Sequence, residues 1–134
     1  MMRPRMVAVV IDDDPAFRAT LRALALEEGF RVLDFANGEA AARDPEVLAA
    51  EVIMADLMLP GMSGLAIVSA LRAMGYAGRA YLVTGHTDLV AGPSGLDGVI
   101  GKPADMDLIL AALRGEGAGR SAEFERHSPQ EVEQ

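Results

Sequence analysis

The chain has no cysteine and no tryptophan. The first absence excludes disulfides and thiolate metal sites outright. Aromatic residues are only 4% of the 134 residues, while 51% are hydrophobic, so aliphatic side chains and alanine must fill the core. Basic charge is short as well: 12 Lys and Arg against 20 Asp and Glu give a net charge of −8. That balance disfavours nonspecific nucleic-acid binding, which depends on basic side chains neutralising phosphates. Long apolar runs are missing. The opening MMRPRMVAVVIDDD has basic residues and a short apolar run ending in acid, too short for a secretory signal or for a membrane span of about 20 residues. One soluble, cytoplasmic domain is expected, with neither nucleic acid nor membrane as partner. Lysine is nearly absent too. Eleven of the 12 basic residues are arginine, and Lys102 is the single lysine.

What is present alternates. Met6 to Ile11 is a continuous apolar run of strand length, as in a parallel strand buried on both faces. Pro15 to Glu28 reads as a helix, with Asp14 as N-cap, Phe17, Leu21 and Leu24 at helical spacing, and Gly29 closing it. Phe30 to Phe35 is a second strand. A helix is expected over Glu39 to Ala50, interrupted by Asp44-Pro45. Val52 to Ala55 is a third strand ending at Asp56, and Ser63 caps a helix through Met74. Ala80 to Val83 and Gly98 to Gly101 are the last strands, followed by a helix marked by Met106, Ile109, Leu110 and Leu113. This order predicts an α/β fold: a doubly wound five-stranded parallel sheet with helices on both faces. Residues 85–97 must hold the fourth crossover. With Gly85, Gly92, Pro93 and Gly95 among them, they leave room for only a shortened fourth helix. Residues 1–5 read as an N-terminal extension, 6–114 as the domain, and 115–134 as an acidic tail too poor in apolar residues to fold.

The three adjacent carboxylates of Ile11-Asp12-Asp13-Asp14-Pro15 raise a question of charge. Asp14 has a structural job as the cap. Asp12 and Asp13 close the first strand, Asp56 closes the third, Thr84 the fourth, and Lys102 follows the fifth. In open parallel sheets this carboxyl edge is where ligands bind. Carboxylates from neighbouring strands make an oxygen-rich, anionic pocket suited to Mg2+. With a lysine and a short hydroxyl nearby, the set suits phosphoryl transfer, where catalysis is mostly positioning and charge neutralisation. An aspartate can be the covalent acceptor. On repulsion alone, removing either Asp12 or Asp13 should raise the stability of the metal-free protein.

Four motifs in order, Asp12-Asp13, DLMLPGMSG from Asp56 to Gly64, Thr84-Gly85 and Gly101-Lys102-Pro103, resemble those of response-regulator receiver domains of two-component signalling. The resemblance spans about residues 6–114 and implies the flavodoxin-like (CheY-like) form of the fold, of the stand-alone single-domain type. Carried over, it makes Asp56 the phosphoacceptor. Asp13 would ligate Mg2+ directly and Asp12 mainly through water, with the Met58 carbonyl as a further ligand. Lys102 would pair with the phosphoryl oxygens, Thr84 would move onto them, and Pro103 would follow a cis peptide. His86, close to that position, reads as a polar loop residue. Many receivers carry an aromatic residue three positions before the lysine, which here is Val99. The resemblance implies a histidine kinase or histidine phosphotransfer protein as donor. No DNA-binding, kinase or cyclase segment follows residue 114 in this sequence, so either output is expected through contacts with a downstream protein or the chain is a piece of a larger hybrid protein; it is not expected to be an enzyme.

Two other readings stay open. A receiver of this shape can act as a binding module alone. A haloacid-dehalogenase-type phosphatase also joins an aspartate nucleophile to Mg2+, threonine and lysine, with a second aspartate two positions on. Asp12 and Asp14 have that spacing, but Pro15 follows them and the late acidic motif of that family is missing.

Overall fold

The computed structural model describes residues 6–90, 95–103 and 105–116. The proposed N-terminal extension over 1–5 lies outside them, as does the proposed tail beyond residue 116. Five strands form one parallel sheet: β1 (Val7–Ile11), β2 (Arg31–Phe35), β3 (Val52–Ala55), β4 (Arg79–Thr84) and β5 (Gly98–Gly101), in the order β2-β1-β3-β4-β5. The helices are α1 (Pro15–Glu27), α2 (Gly38–Ala42), α3 (Gly64–Ala73) and α4 (Met106–Arg114).

Side-chain alternation along the strands builds two cores. Val9, Ile11, Ile53, Ala55, Ala80, Leu82 and Val99 point to one face and pack with Ala41 of α2 and Ile67, Val68 and Leu71 of α3. Ala8, Val10, Val52, Met54, Tyr81, Val83 and Ile100 point to the other and pack with Leu21 and Ala25 of α1 and Ile109, Ala112 and Leu113 of α4. Strands buried on both faces must be apolar at every position, which is why they read as continuous runs rather than alternating ones.

Each helix starts on a side-chain cap. Asp14 accepts from the Ala16 and Phe17 amides at 3.0 and 3.4 Å, and Pro15 takes the first helical position, where its missing N–H costs nothing. Asn37, Ser63 and Asp105 do the same for α2, α3 and α4.

Two crossovers differ from the sequence reading. The helix expected over Glu39 to Ala50 is a single short helix, α2, followed by a separate 3-10 turn over Pro45–Ala49. The residue before a proline is pushed out of the helical region, and Asp44 is extended and caps the turn through the Glu46 amide at 3.0 Å. Between β4 and β5 the expected short helix is, among the described residues, one 3-10 turn over Thr87–Leu89. Residues 91–94 of this crossover, Gly92 and Pro93 among them, lie outside the described residues.

A strut holds the far end of that crossover. The Arg72 guanidinium on α3 donates to the Gly95 carbonyl at 3.0 and 2.7 Å and to the Tyr76 and Gly78 carbonyls at 3.1 and 2.7 Å. It also meets Asp97, whose carboxylate accepts the Ala80 amide at 2.8 Å. Gly95 has φ +81°, open to glycine at no steric cost. Arg72→Ala leaves several carbonyls without their donor and should cost about 1–3 kcal/mol in urea unfolding, with faster amide exchange over 95–97. Unchanged stability and exchange would show that the strut carries no load.

Candidate functional site

The strand order makes β1 and β3 neighbours whose following helices leave on opposite faces. A crevice results at their carboxyl ends, the place where doubly wound sheets bind ligands. Backbone bonds extend the ladder one step past the strands and fix what stands there. The Asp12 amide donates to the Phe35 carbonyl at 3.1 Å, the Asp56 amide to Ile11 at 2.9 Å, and the Lys102 amide to Thr84 at 2.9 Å. Asp12, Asp56, Thr84 and Lys102 are therefore brought to one edge by the sheet itself.

Asp12, Asp13 and Asp56 each offer a carboxylate oxygen within 4.8 Å of the others. Their surroundings differ. Asp12 is 1% exposed; its Oδ1 accepts the Asp14 amide at 2.9 Å and its Oδ2 accepts from Lys102 Nζ at 3.1 Å. Asp13 is exposed, and among the described residues it makes no hydrogen bond, so its oxygens face the crevice mouth uncommitted. Asp56 lies between these extremes, accepting from Lys102 Nζ at 3.4 Å and from the Met58 amide at 3.4 Å. The Met58 side chain points to solvent.

Burial pushes the Asp12 carboxyl above the usual carboxylate range. The Asp14 amide and the bond and charge of Lys102 oppose this, while the Asp56 charge adds to it. For Lys102 burial works against the charge, but the bond and charge of Asp12, followed by those of Asp56, outweigh it and raise the ammonium above its ordinary value. One cation thus holds together two carboxylates from adjacent strands.

Thr84 is fully buried at the end of β4, and its hydroxyl accepts the His86 amide at 3.0 Å. His86 itself is exposed, as a polar loop residue would be. The Lys102–Pro103 peptide is cis. Val99 is buried in the α2–α3 core, where it has neither ring nor hydroxyl to present.

Two residues escaped the sequence reading. Arg18 donates from Nη1 to the Asp12 carbonyl at 2.7 Å, and the Phe17 ring centroid lies 4.4 Å from Lys102 Nζ. Phe17 reads as an ordinary core position by helical spacing. The available signal is the cap: a helix starting at Asp14 sets its first turn directly over the end of β1.

A model of the response regulator receiver domain matches residues 8–114. The chain belongs to the response regulator receiver family. It is 28% identical over 113 residues to the DNA-binding transcriptional activator EvgA of Escherichia coli, covering 81% of this chain and 55% of that protein. It is 30% identical over 127 residues to the transcriptional regulatory protein KdpE of Mycobacterium tuberculosis, covering 92% and 56%. The receiver thus spans about half the length of these curated relatives. A CheY-like response regulator receiver domain from Methylobacillus flagellatus superposes with a TM-score of 0.69 at 26% identity, covering 84% of this chain and 96% of that one. The fold and family expected from the motifs stand. Among the described residues, no helix of the receiver is long and apolar enough to cross a membrane.

Gly64, the last residue of DLMLPGMSG, closes the loop beneath the crevice. Its amide donates to the Leu57 carbonyl at 2.9 Å, and a Cβ there would stand 2.0 Å from the Asp56 carbonyl oxygen. Backbone cannot yield as a flexible side chain does. Gly64→Ala should therefore lower the unfolding free energy by more than about 2 kcal/mol in urea titration. A neutral result would mean that the loop after Asp56 moves freely.

Proposed function

We propose that the chain is a Mg2+-dependent phosphoacceptor of a two-component system that accepts a phosphoryl group on Asp56. The observation that carries this reading is the convergence of Asp12, Asp13 and Asp56 within 4.8 Å around one edge of the sheet, with the single lysine bridging two of them.

The donor set fits Mg2+, which takes oxygen ligands and keeps several waters. Asp13, Asp56 and the Met58 carbonyl would hold the ion directly. Asp12, with both oxygens already engaged, would act through water. When bound, the ion neutralises charge on the phosphoryl oxygens.

The chain's own groups do the rest. A carboxylate oxygen of Asp56 attacks phosphorus, forming an O–P bond as the P–N bond to the donor's imidazole breaks and its electron pair returns to the ring nitrogen. Lys102 pairs with a phosphoryl oxygen, and the Thr84 hydroxyl, which accepts the His86 amide, donates a hydrogen bond to another. Release to water regenerates the carboxylate. The chain is thus acceptor and switch rather than an enzyme acting on a separate substrate.

The donor would be a histidine kinase or histidine phosphotransfer protein, in the cytoplasm. Output would pass through contacts with a downstream protein, in keeping with the net charge of −8, which favours protein over nucleic acid as partner. One contact speaks against the phosphatase alternative. It needs Asp14 beside the nucleophile, and Asp14 is spent as the cap of α1.

Asp56→Asn should abolish the mass increase on treatment with acetyl phosphate and leave the fold intact, since the two side chains are nearly isosteric. Persistent labelling at full level would remove Asp56 from the role.

A second outcome separates the other two carboxylates. By calorimetric titration, Asp13→Ala should weaken Mg2+ binding at least tenfold more than Asp12→Ala; equal losses would contradict the assignment. Without metal the two should diverge in stability. Asp13→Ala relieves repulsion and stabilises. Asp12→Ala destabilises, contrary to the expectation from repulsion alone, because Lys102 loses its nearer partner and the Asp14 amide its acceptor.

A further inference from the structure

We infer that Phe17 is a positioning residue for Lys102, its ring face holding the ammonium where it must meet the phosphoryl group. The inference rests on the reading of Asp56 as phosphoacceptor and adds a residue that the motifs do not contain.

An ammonium has three donors on a flexible four-carbon stem. Two directions are taken, by Asp12 Oδ2 at 3.1 Å and Asp56 Oδ2 at 3.4 Å. The Phe17 ring stands 4.4 Å from Nζ, well inside the range of a cation–π contact. The lysine side chain is only 24% exposed, so that contact is partly shielded from water.

The chemistry of a ring suits the task better than a third carboxylate would. Once Asp56 carries a phosphoryl group, Lys102 must redirect a donor onto it. A third carboxylate would compete for that donor and repel the incoming anion. A ring quadrupole attracts the cation across a whole face without binding one N–H direction, so Nζ can pivot while staying in place.

The ring is itself held. Pro15 and the Asp14 cap start α1, the Phe17 amide bonds Asp14 Oδ1 at 3.4 Å, and the side chain packs against the core beneath α1 and α4. The next residue acts on the same pair: Arg18 grips the Asp12 carbonyl at 2.7 Å. Consecutive residues of one helical turn thus fix the backbone of Asp12 and the cation bound to its side chain.

Packing alone could also explain a half-buried phenylalanine, and the single lysine gives a way to tell the two apart. In the full chain grown with 13C,15N-lysine, every labelled side-chain signal belongs to Lys102. Its ε-CH2 protons should resonate upfield of free lysine because they lie near the ring face. Phe17→Leu and Phe17→Met should return them to ordinary positions and weaken beryllofluoride binding with Mg2+ by about fivefold. Phe17→Tyr, which keeps the ring, should preserve both. An unshifted signal in the unaltered protein overturns the inference without any variant. So does a folded Phe17→Leu protein that binds beryllofluoride as tightly as the parent. If the parent shows the shift but takes up no beryllofluoride, the phosphoacceptor reading fails, and the positioning role with it, while the ring–ammonium pairing stands.

Discussion

A single ammonium group stands between two carboxylates delivered by adjacent strands, and the rest of the site is arranged by what that ammonium can and cannot neutralise. The order β2-β1-β3-β4-β5 sets the ends of β1 and β3 side by side, so Asp12 and Asp56 meet whatever their charges. Lys102, carried by the chain leaving β5, reaches back across β4 to bond both. It offsets only part of the negative charge. Asp13 adds a third carboxylate with no cation of its own among the described residues, and the cluster is left with an excess of negative charge that suits a divalent cation.

Burial divides the labour among these carboxylates. Asp12, enclosed and doubly bonded, is committed to holding Lys102 and the turn into α1. Asp13, one residue on and past the end of β1, is exposed, and its carboxylate reaches the same cluster from the solvent side. Adjacent residues of the same type thus have different chemistry, which explains why repulsion between them is a poor guide to the effect of removing either.

Much of this was legible in the sequence. Apolar runs of strand length, each stopped by a polar residue, located β1, β3 and the ends of β4 and β5, and the motif order then placed Asp12, Asp13, Asp56, Thr84 and Lys102 at one edge. What was not legible depends on contacts distant in sequence. The Arg72 strut joins α3 to Gly95 over 23 residues, and no local pattern distinguishes that arginine from ten others. Phe17 scores as a core position by spacing and only in three dimensions proves to face a cation 85 residues later. The break at Asp44-Pro45 was visible as punctuation, but its outcome, a 3-10 turn rather than a kinked helix, depends on Val47 and Ala50 docking into the α2–α3 core.

Chemical trapping of the phosphorylated residue tests the central claim most directly. Borohydride reduces an aspartyl phosphate to homoserine, which peptide mapping locates to a single position. After treatment with acetyl phosphate and Mg2+, homoserine is expected at position 56 and at no other aspartate. Homoserine at position 12 or 13, or none anywhere under conditions where the protein is folded, would contradict the account.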